Sequence, residues 1–119
     1  MNSKTDNELG SVSIGGEVLA RLAGTAAMEV YGVVGMAARN VRDGLVHLLR
    51  LESLTKGVKL ELRGEGEIVI GLHIIVEYGT NIQAISNTLI ENVKYRVEEA
   101  TGLAVRDVDV FVEGVRIGG

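Results

Sequence analysis

The clearest pattern along the chain is an alternation in its second half. Val58, Leu60 and Leu62 alternate with Lys59, Glu61 and Arg63. After Gly64-Glu65-Gly66, the residues Ile68, Ile70, Leu72, Ile74 and Val76 recur at every second position. Successive strand side chains point to opposite faces, so two such runs across a glycine turn predict a β-hairpin with one apolar face. Ile82, Ile85, Leu89, Val93, Val97 and Ala100 then fall at helical spacing. Thr80-Asn81-Ile82-Gln83 reads as a capping box at the start of that helix, and Gly102 as its stop. Alternation returns in a last strand from about residue 104 to 115, with Val108, Val110 and Val112 on one face.

The first half is read from weaker signals. Val12 and Ile14 alternate with serines, which predicts a short strand over residues 9–14, broken by Gly15-Gly16. A helix is expected from about residue 17 to 31, with Val18, Leu22, Ala26 and Val30 inward, Leu19, Ala23 and Ala27 flanking them, and Gly32 as cap. A second helix is expected within residues 36–53, with Val41, Leu45, Leu48 and Leu49 inward. Arg39, Asn40, Asp43, His47 and Arg50 would then form a polar stripe, a candidate partner interface. Asp43-Gly44 can instead be a turn that opens a shorter helix.

The resulting order is β-α-α-β-β-α-β. It predicts an α+β fold, a two-layer sandwich with helices on one face of a mostly antiparallel sheet. Residues 1–8 read as a polar tail and 9–119 as one domain. The expected core includes Val18, Leu22, Val30, Leu60, Ile70, Leu72, Ile74, Leu89, Val93, Val108 and Val110. By alternation the opposite sheet face carries Lys59, Glu61, Arg63, His73, Asp107 and Asp109, but also Val69, Ile75 and Phe111. Those three apolar residues on a nominally wet face are the second candidate interface; the plainer reading is scattered surface hydrophobics. A free edge of the long last strand offers a further place for a partner or for self-association.

Composition narrows the chemistry. Only 3% of the 119 residues are aromatic while 46% are hydrophobic, so the core must be aliphatic. There is no cysteine, which excludes disulfides, thiolate catalysis and thiolate zinc sites. The net charge of −4 and pI near 5.2 argue against bulk attraction to nucleic acid. No apolar run reaches the roughly 18 residues of a spanning helix, and the polar start predicts no signal peptide. A cytoplasmic protein without membrane insertion is expected.

No set of residues converges on a reaction. Gly64-Glu65-Gly66-Glu67 is acidic and reads as a hairpin turn, not a phosphate loop. His47 follows Asp43 at helical spacing, yet neither it nor His73 belongs to a paired metal motif. The serines lack a nucleophile-elbow context. Asp107 and Asp109 share a strand face with Glu113 further along, and a solvated face explains them. No catalytic, cofactor-binding or metal residue is assigned, and the chain is expected not to be an enzyme.

Several blocks resemble the alkaline shock protein (envelope stress response) family of bacteria. They are Gly10 to Ile14, Val30-Tyr31-Gly32-Val33-Val34-Gly35, Ile74 to Ile82, Asn92 to Leu103 and Asp107 to Val115. The segment Gly35 to Leu49 resembles a branch of short members. The resemblance covers nearly the whole chain after residue 9. It implies a cytoplasmic, non-enzymatic protein of envelope homeostasis that acts through protein contacts, and it brings no catalytic residues. A different class shares the formal order: in K-homology RNA-binding domains a Gly-x-x-Gly loop joins two helices, and Gly32-Val33-Val34-Gly35 fits that spacing. Its middle residues carry no charge, so this remains the alternative.

Overall fold

A computed structural model describes residues 12–39, 46–48, 51–64 and 66–117. The elements are α1 (Val12–Met28), β1 (Val33–Arg39), β2 (Val46–Leu48), a 3-10 turn (Leu51–Gly57), β3 (Val58–Leu62), β4 (Glu67–Glu77), α2 (Ile82–Thr101) and β5 (Ala104–Arg116).

The eleven-residue β4 organises the sheet. β3 pairs antiparallel with its first half, Ile68–Leu72, and β1 pairs antiparallel with its last part, Ile74–Val76. β5 runs parallel to β4 along Glu67–Glu77. A strand has two edges, so β1 and β3 lie end to end on one and β5 takes the other. β2 pairs antiparallel with β1. A parallel neighbour needs a crossover, and α2 supplies it between β4 and β5. Both helices cover the face that carries Ile68, Ile70, Leu72, Ile74 and Val76, which are at most 2% exposed. The fold is therefore α+β in two layers, as the alternation predicted.

The first half departs from expectation in detail. Residues 12–14 open α1 and are not a strand, and residues 9–11 lie outside the described residues. Gly15 and Gly16 sit inside the helix. Its buried stripe is Leu19, Ala20, Ala23, Ala26 and Ala27, while Val18 is 59% exposed and Leu22 is only partly buried. The alanines allow close approach: Ala23, Ala26 and Ala27 are wholly buried between α1 and its neighbours. Val18 falls outside this stripe.

α1 ends at Met28, so Gly32 is not its cap but the tip of the turn into β1, with φ +98°. The expected second helix is replaced by β1, β2 and the 3-10 turn. Gly32-Val33-Val34-Gly35 therefore leads into a strand, and the loop between two helices that the K-homology alternative requires is not formed. Two features explain the strand. Val33 and Val34 are β-branched, and β4 has an edge for β1 to fill. Gly57 lets the chain pass closely beneath it, since a Cβ there would lie 2.9 Å from the Met36 Cβ and 3.0 Å from the Ala37 carbonyl oxygen.

Candidate functional site

The helix-free face of the sheet is built by parity. In β4 the even positions go to the core, so Val69, Gly71, His73 and Ile75 go outward. β5 adds Asp107, Asp109 and Phe111, and β3 adds Lys59 and Glu61. Seven of these residues, with Leu60, line a shallow depression of about 460 Å³ running from Lys59 and Glu61 across Val69, Gly71 and His73 to Asp109 and Phe111. The missing side chain at Gly71 opens its floor. A Cβ there would touch Lys59 and Phe111, each at 3.6 Å.

Register sets the centre of this face. His73 pairs directly with Phe111, and the two rings stack with centroids 4.8 Å apart and planes 14° apart. His73 Nδ1 lies 2.7 Å from Glu113 Oε2, with both side chains largely shielded. Phe111 is held in place by this stack yet stays 47% exposed. Val69 is buried and Ile75 half-buried. At one end of the face Arg63 bonds Glu61 at 3.1 Å. That bond, helped by Asp107 and Asp109 nearby, raises the guanidinium's affinity for its proton further.

The other candidate interface falls only in part within the described residues. Arg39 lies in β1 and His47 in β2, where Ala38 pairs with His47 and Arg39 with Val46. Both lie in strands, so no helix relates the two. Asn40, Asp43 and Arg50 lie outside the described residues. Among the described residues, no group of three or more His, Cys, Asp or Glu is placed to hold a metal ion. None of their helices is long and apolar enough to cross a membrane.

Two features escaped the sequence reading. The His73–Glu113 pair joins residues forty positions apart, and its only trace was their shared outward parity. A second groove of about 580 Å³ lies where the turn after α1 meets the start of α2, lined by Tyr31, Tyr78, Thr80, Asn81, Ile85 and Thr88 among others. Tyr31 and Tyr78 are 88% and 69% exposed. Each precedes a positive-φ glycine, Gly32 or Gly79, and that repeated Tyr-Gly pair was the available signal.

The chain matches the profile of the alkaline shock protein 23 family, described as having a cell envelope-related function, over residues 4–117. It is 42% identical over 118 residues to the Bacillus subtilis protein YloU, covering 98% of each chain. It is 32% identical over 120 residues to the Streptococcus pyogenes protein Spy1614, covering 100% of this chain and 98% of that one. A stress response regulator gls24 homolog of Streptococcus pyogenes is 27% identical over 110 residues, which is 90% of this chain and 59% of that one. No solved structure matches the chain.

Proposed function

The chain belongs to the alkaline shock protein 23 family, and from that membership we propose that it is a non-enzymatic, cytoplasmic docking protein of cell-envelope homeostasis. Its working surface is the helix-free sheet face. The observation that carries this reading is Phe111, the chain's only phenylalanine, stacked on His73 and yet 47% exposed on the same sheet face as Val69 and Ile75. An aromatic ring fixed by its neighbours loses little side-chain entropy on binding, which suits an anchor at a protein interface. The His73–Glu113 pair and the Asp109 and Lys59 side chains give that anchor a polar rim.

The test compares Phe111→Ser with Tyr95→Ser, a change at an exposed tyrosine on α2. Both variants should melt within a few degrees of the parent. In cells lacking the native copy, Phe111→Ser should fail to restore resistance to envelope stress and should lose the partner recovered with the parent, while Tyr95→Ser keeps both. Full complementation by Phe111→Ser would refute the reading.

A further inference from the structure

β5 is paired on one edge only among the described residues. Its register against β4 slips twice, leaving Arg106 and Glu113 as extra residues. Between these bulges, Asp107 to Val112 form an uninterrupted stretch whose outer backbone groups have no strand beside them among the described residues. The two faces of this stretch differ. Asp107, Asp109 and Phe111 point to the helix-free side and are exposed. Val108, Val110 and Val112 point to the helix side, where the cover thins. On β4, Leu72 and Ile74 are wholly buried, but their direct partners Val110 and Val112 are only partly so. The apolar layer thus continues past the edge of the helix layer.

We propose that this edge receives an extended segment of a partner protein as an added strand, with basic residues on one face and apolar residues on the other. Main-chain bonds to β5 would supply sequence-independent affinity. Alternate lysines or arginines would stand opposite Asp107 and Asp109, with a third side chain beside Phe111, at cross-strand distances where opposite charges attract. The intervening apolar residues would extend the cover over Val110 and Val112. A second copy of β5 fits poorly: antiparallel pairing centred on Val108 sets Asp107 opposite Asp109, and like charges in that position repel. This inference rests on the docking reading above, but it names the edge, not the face, as the element that is bonded.

The probe is a short soluble peptide alternating lysine and valine. Its glutamate counterpart and a backbone N-methylated lysine version serve as controls. Amide-resolved hydrogen exchange on the full chain should show new protection within Asp107–Val112 with the lysine peptide alone. The double variant Asp107→Lys, Asp109→Lys should weaken that peptide by about tenfold or more and turn the preference toward glutamate. Equal binding of both peptides, or no protection of β5, overturns the proposal. So does protection of the amides that point away from β4 in the free chain, whether independent of concentration (an own segment on the edge) or rising with it (a second copy). If the N-methylated peptide binds as well and perturbs Val69 and His73, strand addition is overturned while face docking stands. The Phe111→Ser complementation test decides face docking separately.

Discussion

Gly32 shows how a single position can be fixed from both ends. Its φ of +98° disfavours any L side chain, and a Cβ there would lie 2.6 Å from Ile85 Cδ1. Its carbonyl also accepts from the Glu77 amide at 2.9 Å, tying the turn to the end of β4. Gly32→Ala is expected to cost about 2 kcal/mol or more, read from chemical denaturation. Asn92 is a second such position. Its Nδ2 donates to the Ala26 carbonyl at 2.9 Å, a second bond to an acceptor in the last turn of α1 that also takes the Glu29 amide at 3.2 Å. Asn92→Ala should cost about 1 kcal/mol by the same measurement. Glu29 accepts from both Arg96 and Asn92, and those hydrogen bonds, Arg96 first, lower its carboxyl below the ordinary value. A carboxyl lowered on folding stabilises the native state above its unfolded value of about 4.3 and loses that contribution as pH falls through its folded value. The difference in denaturation midpoint between the parent and Glu29→Gln should therefore be present at pH 7 and shrink below about pH 4.

At the scale of elements, legibility followed the strength of the period. β4 and α2 were readable because their apolar residues recur over long stretches and one face of each is buried, β3 and β5 from shorter alternations that are only partly covered. Even there the cap moved by one residue: Asn81, not Thr80, caps α2, accepting from the Ala84 amide at 3.0 Å, while Thr80 Oγ1 bonds the Glu77 carbonyl. Gly102 does close the helix, with φ +76° and its amide on the Glu98 carbonyl. α1 was harder to read, because its inward stripe is mostly alanine and Val18 drew the expected face by one position. Gly15 and Gly16 pointed to a break, yet packing of the alanine face carries the helix through them. A Cβ at either would meet nothing within 4 Å, and neither has positive φ. Gly15→Ala and Gly16→Ala should each stabilise the protein by roughly 0.5–1 kcal/mol, seen as a higher melting temperature.

For the whole molecule, the two faces of the sheet respond differently to change. Leu72 is wholly buried against the helices, and His73 beside it faces the open side. Leu72→Asp places a charge in an aliphatic core and should cost more than about 4 kcal/mol, enough to leave the circular dichroism spectrum of an unfolded chain. His73→Gln should leave it folded. His73→Asp is a poorer control than parity alone suggests, because Glu113 Oε2 lies 2.7 Å from the imidazole it would replace. The sequence by itself determined the fold class, the β3–β4 hairpin, α2, β5 and the outward parity of Val69, His73, Ile75 and Phe111, since a period of two or of 3.6 is a local property of the backbone. Tertiary structure decided what depends on distant partners. It made β1 a strand because β4 had an edge to fill, buried the alanine face of α1 and not Val18, stacked His73 on Phe111 through parallel register, and left β5 with one edge unpaired among the described residues. No local pattern encodes these outcomes, because each is settled by which surfaces remain to be covered once the periodic elements have packed.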